Sequence, residues 1–321
     1  MVTIRKKAIV DAMTSQSPTV TVIIPTYNSS GTLKFSLETV VRQYFSDYEV
    51  WVVGDGCSDD SEAIVASFND ARVHWVNLPV NSGTPSAPRN EGLRRARGHY
   101  IAYLGHDDLW FPWHLSELVD CIERSKSDFV YSLGVLLGPE GIVGTFSLPK
   151  RLWHTSEPAS PSNWLHRKSL TDVIGLWSLR TRMGNDMDFL HRILVADAQL
   201  DFRRQLSVLK YPANLWHMYS RASHFPQEKH VEAICNDAEA LRLELLLDIA
   251  THMSRHMKLL RQYKGHISKT LQGLIRFALD VYGRNHWPAN DLCYWWGRRK
   301  AGLTKYRRKV SHQEANGKFI R

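Results

Sequence analysis

The feature that most constrains this chain is an alternation in its first third. Short β-branched runs are each closed by polar, turn-forming residues and followed by a stretch of helical spacing. Val20-Thr-Val-Ile-Ile24 is the first run, ended by Pro25-Thr-Tyr-Asn-Ser-Ser-Gly31. Leu33, Leu37, Val40, Val41 and Tyr44 then recur at helical intervals. Tyr48-Glu-Val-Trp-Val-Val53 is a second strand, closed by Gly54-Asp-Gly-Cys-Ser-Asp-Asp60. Ser58 or Asp59 is placed to cap the helix that follows, which carries Ile64, Val65 and Phe68. Val73-His-Trp-Val-Asn77 predicts a third strand, and residues 87–97 a helix with Pro88 in its first turn. This alternation with short crossovers predicts an α/β fold: a parallel sheet covered by helices, with the loops after the strands gathered on one edge.

In open α/β sheets that edge is where ligands bind, and the next segment brings charge to it. Residues 100–104 are apolar strand formers, followed by Gly105, His106, Asp107 and Asp108, then an apolar and aromatic stretch and a helical pattern from Leu115. Two adjacent carboxylates in a crevice repel each other unless a cation or a hydrogen-bond donor compensates. A hard divalent cation bridging to a phosphate does so well. The alternative is a polar loop in which Asp108 caps the helix after it. Glycine-rich dinucleotide and P-loop patterns are absent.

The texture then changes. Residues 129–137 and 142–146 read as strands around the Gly138-Pro-Glu-Gly141 turn, a hairpin. Trp164-Leu-His-Arg167 and residues 206–211 read as further strands, and residues 186–195 as a helix through the pairs Phe189/Ile193 and Leu190/Leu194. From about residue 227 the pattern is helical: Val231, Ile234, Ala238, Leu241 and Leu245 form one stripe, and Ile267, Leu271, Leu274, Ile275, Ala278 and Tyr282 another.

Composition bounds the function classes. With 321 residues and 43% hydrophobic content the chain can bury a substantial core. No apolar run reaches the roughly eighteen residues that a membrane-spanning helix needs. Residues 1–18 read as a loose polar lead-in and not a signal peptide. The four cysteines are scattered, which argues against a disulfide framework or a structural zinc site and fits a reducing, cytoplasmic compartment. A net charge of +9 favours anionic partners without choosing among them. The basic and aromatic stretch Tyr294-Trp-Trp-Gly-Arg-Arg-Lys300 supports a competing class, a non-catalytic polyanion-binding protein, although no recognised nucleic-acid motif accompanies it.

Four stretches together decide between these classes. Val22-Ile-Ile-Pro-Thr-Tyr-Asn28, Val52-Val-Gly-Asp-Gly-Cys-Ser-Asp59, Pro88-Arg-Asn-Glu-Gly92 and Tyr100-Ile-Ala-Tyr-Leu-Gly-His-Asp-Asp108 resemble, in order and spacing, the family 2 glycosyltransferases of GT-A fold. The resemblance covers residues 19–221. It implies a Rossmann-like mixed sheet with flanking helices, divided into a nucleotide-sugar half (19–125) and an acceptor half (126–222), and leaves 223–321 as a C-terminal helical extension. It implies inverting transfer from a nucleoside-diphosphate sugar, UDP favoured and dTDP open, to a hydroxyl of a glycan or lipid-linked acceptor, with Mg²⁺ or Mn²⁺. Carried over by position, Pro25 and Tyr27 would hold the base and Asp55 would accept its N–H. Arg89 and Asp107 would serve the rest of the nucleotide, and Asp108 would hold the metal with His217. Asp186 would be the general base, with Asp188 its competitor. Two positions depart from the pattern: Gly54 stands where an Asp is common, and His106 opens the acidic motif. For the basic C-terminal helices three roles stay open: docking at the inner face of an anionic membrane, packing on the domain, or self-association.

Overall fold

The computed structural model describes residues 17–146, 160–180, 184–216 and 225–263. Strand β1 (Val20–Thr26) lies between β2 (Tyr48–Gly54) and β4 (Tyr100–Tyr103), parallel to both, and β3 (Val73–Asn77) extends the same parallel set beyond β2. All seven residues of β1 are buried, which is why the run is apolar on both faces and not alternating. Helices α1 (Ser30–Val41), α2 (Ser61–Ser67) and α3 (Ser86–Arg95) are the crossovers, and α4 (His114–Ser125) follows the acidic loop. The alternation therefore folds as the sequence predicts. At the start of α2 no side chain caps the helix from the N-cap position, Asp60, but Asp59 Oδ1 accepts the Ser61 N–H at 3.2 Å.

Beyond β4 the sheet continues with changed strand directions. The elements are β5 (Leu109–Trp110), β6 (Phe129–Gly138), β7 (Gly141–Phe146), β8 (Trp164–Arg167), α5 (Leu170–Ile174), α6 (Asn185–Val195) and β9 (Leu200–Lys210). Among the described residues nine strands make one mixed sheet in the order β3-β2-β1-β4-β8-β6-β9-β5, with β7 paired to β6 as the expected hairpin. β8 runs antiparallel to both β4 and β6, and β9 runs parallel to β6. Within the sheet, two features went unread in the sequence, as did the short helices α5 and Ala213–Trp216 outside it. The two residues of β5 are too few to show a period, yet they pair antiparallel with β9, and β9 begins six residues before its buried apolar part because Leu200 and Phe202 are separated and followed by Asp201, Arg203 and Arg204 and none of the five is fully buried.

After α7 (Ala213–Trp216) the long helix α8 (Gln227–Tyr263) begins, with a non-helical break at Asp237. Its stripe Val231, Ile234, Ala238, Leu241, Leu245 and Ile249 is buried against Phe35, Phe111, Trp113, Leu133 and Tyr211. Of the three roles left open for the C-terminal helices, packing on the domain is the one this stripe serves. The second stripe, 267–282, and the basic stretch 294–300 lie outside the described residues.

Two histidines sit fully inside the sheet core. His114 stacks on Trp110 at 4.1 Å with Nδ1 2.8 Å from Ser207 Oγ, and His166 places Nε2 3.1 Å from Tyr103 OH. Burial pushes their pKa values down, to about 3 and about 4. Both stay neutral in the folded state while the unfolded chain takes up protons below about 6.5, so stability rises with pH across this window. These two histidines should make the folding free energy in urea at pH 5.5 roughly 3 kcal/mol lower than at pH 7.5, about half from each, and His230, whose pKa burial also lowers, adds in the same direction. Ordinary carboxylates titrate below this interval. A His166→Asn variant should lose about half of the part that His114 and His166 supply, and an unchanged slope would contradict the assignment.

Candidate functional site

The C-terminal ends of β1 and β2 are held side by side by their parallel register, Pro25 opposite Val53 and Thr26 opposite Gly54. The Asp55 N–H donates to Thr26 O at 2.8 Å, so Asp55 emerges beside Pro25 and Tyr27. Pro25 is buried and Tyr27 is 42% exposed. Asn28 takes a left-handed backbone (φ 43°) and its Oδ1 accepts the Ser58 N–H at 2.8 Å, linking the two loops. Asp55 is buried: Oδ2 accepts from Ser82 N (3.0 Å) and Ser82 Oγ (2.9 Å), while Oδ1 has no partner among the described residues. A buried carboxylate oxygen without a donor is costly, and it suits a ligand N–H. The departure at Gly54 has a packing reason. A Cβ there would lie 2.5 Å from Asn77 Oδ1, and Asn77 clamps the loop by accepting the Cys57 N–H and donating to Cys57 O, both at 2.8 Å.

The acidic pair follows β4. Asp108 is fully buried and does not cap α4, whose N-cap position is Trp113. Its Oδ2 accepts from Lys210 Nζ at 2.7 Å and Ser162 Oγ at 2.5 Å, and its Oδ1 has no partner among the described residues. Asp107 is half-buried, and its carbonyl accepts from Gln227 Nε2, at the start of α8, at 3.0 Å. The two carboxylates crowd over Gly105, where a Cβ would come within 2.9 Å of Asp107 Oδ1 and of Asp108 Oδ2. His106 is partly buried, with Nδ1 3.3 Å from Pro25 O. Burial pushes the Lys210 ammonium down, but Asp108 and Asp107 more than offset this and hold it above the ordinary lysine value.

Across the edge, α3 presents Arg89. Its guanidinium sits 4.3 Å over the Trp177 ring, and its Nε and Nη1 have no partner among the described residues. Burial pushes its pKa down to about 10, with Asp186, Tyr103 and Asp108 pulling the other way. Trp177 is itself pinned: Asn90 Oδ1 accepts its N–H at 2.8 Å, Asn90 Nδ2 donates to its carbonyl at 2.9 Å, and its indole donates to Tyr103 OH at 3.2 Å. Asn185 Nδ2 donates to Ser86 Oγ (3.0 Å) and Thr84 Oγ1 (3.2 Å), tying the first turn of α6 to that of α3. Asp186 is therefore held in electrostatic reach of both Arg89 and Lys210. Asp188, its competitor, is buried in an ion pair with Arg192 at 3.1 Å.

The structure thus brings Pro25, Tyr27, Asp55, Arg89, Asp107, Asp108 and Asp186 to one sheet edge. His217 lies outside the described residues. Sequence reasoning missed Lys210, Trp177, Ser162 and Asn185 as members of the edge. Lys210 reaches Asp108 across 102 positions, a contact that no local pattern signals.

Against known proteins, residues 21–151 match the family described as glycosyl transferase family 2. Residues 21–151 are a family 2 glycosyltransferase domain. The domain is similar to the Escherichia coli UDP-Glc:alpha-D-GlcNAc-diphosphoundecaprenol beta-1,3-glucosyltransferase WfgD, 29% identical over 133 residues, 41% of this chain and 52% of the relative. The matched stretch thus spans about half the length of that relative. S. aureus TarS 1–349 in complex with UDP-GlcNAc superimposes with a TM-score of 0.53 at 19% identity, covering 94% of this chain and 93% of TarS 1–349. The mannosyltransferase PcManGT from Pyrobaculum calidifontis, in complex with GDP-Man and Mn²⁺, gives 0.50 at 15% identity over 95% of this chain and 89% of its own. The fold around the domain is the GT-A fold.

Proposed function

We propose that the chain is an inverting glycosyltransferase that moves a sugar from a nucleoside-diphosphate sugar to a hydroxyl of a glycan or lipid-linked acceptor. The observation that carries this reading is the single edge that holds a free buried acceptor (Asp55 Oδ1), a guanidinium with unused donors (Arg89) and a carboxylate in its electrostatic reach (Asp186). The Asp55 oxygen suits the imide N–H of uracil, and the exposed Tyr27 ring supplies a stacking face beside it. The UDP-Glc-dependent activity of WfgD and the UDP-GlcNAc bound by TarS favour the same donor class. The lipid-diphosphate acceptor of WfgD favours a lipid-linked acceptor.

In the reaction, the acceptor O–H loses its proton to the Asp186 carboxylate while its oxygen attacks the anomeric carbon from the face opposite the diphosphate. The bond from that carbon to the phosphate oxygen breaks and its electron pair leaves with the nucleotide. Arg89 meets the charge that develops on the leaving diphosphate. The expected Mg²⁺ or Mn²⁺ fits the described residues poorly at Asp108. One oxygen of that carboxylate is already held by an ammonium, which repels a dication. No group of three His, Cys, Asp or Glu side chains able to hold a metal ion occurs among the described residues. No step is routed through a metal here.

Isothermal titration with UDP, dTDP and GDP tests the donor assignment. UDP should bind tightest and dTDP next, since both carry the imide edge, and Asp55→Ala should weaken UDP by on the order of tenfold. Tightest binding of GDP, or none of the three binding, would remove the reading.

A further inference from the structure

Lys210 lies beside the acidic pair on the edge read as the donor site, and nothing above gives it a task. Its position follows from strand register. Leu109 of β5 is paired antiparallel with Leu209 of β9, so the next residue along β9 faces the one before Leu109, and Lys210 meets Asp108. The result is an ammonium 2.7 Å from a carboxylate that is fully buried, at the functional edge of the sheet. An ion pair taken out of water is a weak source of stability, because desolvation of both partners opposes their attraction. A pair kept at such a place invites a role other than holding the fold.

Three further observations say what the role is. An ammonium carries three N–H donors, and among the described residues Asp108 Oδ2 is the one hydrogen-bond acceptor found for Lys210. The side chain keeps 27% of its surface exposed, so it is not sealed beneath the loop. Its charge is felt at Asp107 and Asp186 as well as at Asp108, so it is in electrostatic reach of the acidic pair and of the residue read above as the base. Arg89 carries its unpaired Nε and Nη1 to the same group of carboxylates. Two cations with unused donors, both within electrostatic reach of Asp108 and Asp186, suit the two phosphates of a nucleoside diphosphate.

We infer that Lys210 binds the diphosphate of the donor directly and, with Arg89, supplies the positive charge that a divalent cation would otherwise bring to the leaving group. Asp108 serves this arrangement as a positioning residue: it orients the ammonium by one bond and leaves the remaining donors for phosphate oxygens. Ser162, donating to the same Asp108 oxygen, fixes the carboxylate in turn. The inference rests on the reading of the edge as a nucleotide-sugar site.

The test uses UDP and uridine as probes, titrated into the full chain in EDTA and in MnCl₂. Lys210→Met alone strands a buried carboxylate and risks the fold, so the Asp108→Asn/Lys210→Met pair, which buries no charge, is measured beside it, with circular dichroism to confirm folding. The native chain should bind UDP with the same affinity, within about twofold, in EDTA and in Mn²⁺. The double variant should lose on the order of tenfold in UDP affinity while its uridine affinity stays unchanged, because a charge-assisted contact to phosphate is missing and the base site is intact. A role confined to packing would shift UDP and uridine together. Native UDP binding that vanishes in EDTA and returns with Mn²⁺ would overturn the inference, as would a double variant with an unaltered ratio of UDP to uridine affinity. Failure of the native chain to bind either probe would instead overturn the nucleotide-sugar reading, and this inference with it.

Discussion

Replacing Asp186 with Asn should lower turnover by about a thousandfold and leave UDP affinity within about twofold of the native value. A positioned general base contributes roughly 10²- to 10⁴-fold, and the amide cannot take the acceptor proton. The substitution is nearly isosteric. Asp186 Oδ1 accepts the Met187 N–H at 2.9 Å, a bond that an Asn side-chain carbonyl can also make, so the first turn of α6 should survive. Asp188→Asn is the control, because Asp188 is committed to Arg192 and not to the edge. That variant should cost stability and leave kcat nearly untouched. Nucleotide release from a panel of UDP-sugars, with circular dichroism on both variants, reads the two outcomes. Turnover by Asp186→Asn within threefold of native would end its assignment as base, and a collapse confined to Asp188→Asn would transfer it.

Arg89→Met should reduce kcat/KM by about 10²- to 10³-fold, the usual consequence of removing one preorganised donor from developing negative charge. The same variant should be no less stable than the native chain. In the free protein two guanidinium nitrogens, Nε and Nη1, have no partner among the described residues, and burial already pushes the pKa down to about 10, so folding gains little from it. A methionine fills similar space over Trp177 and removes a charge whose desolvation its neighbours do not fully offset. Activity and thermal stability should therefore move apart, as expected where a residue is kept for binding and not for the fold. Arg89→Lys should recover only part of the loss, because an ammonium cannot reproduce the planar fork over the indole ring. A variant that unfolds easily yet turns over normally would reverse the assignment.

Much of the architecture was legible. The buried run of β1, the turn residues after it and the repeated strand-to-helix change forced a parallel sheet, because short crossovers allow little else. Asp107 and Asp108 stood out as an adjacent acidic pair closing a buried strand, whereas Asp55, Arg89 and Asp186 were singled out only by their positions in the stretches that resemble family 2 glycosyltransferases. The stripe along α8 was also visible, but the surface it covers was not. Periodicity reports that a face is apolar and does not say against what.

What the sequence by itself determined is thus the order of the elements and the edge on which chemistry collects, since both follow from short-range pattern and turn geometry. Tertiary structure alone decided how the charges on that edge are matched. Asp108 reads as a free carboxylate in one dimension, and only the pairing of β5 with β9 sets Lys210 beside it. Arg89 reads as an ordinary helical arginine until Trp177, held by Asn90, comes to lie beneath it. Coulomb attraction and desolvation depend on distance and burial, and the fold sets both by joining residues about a hundred positions apart.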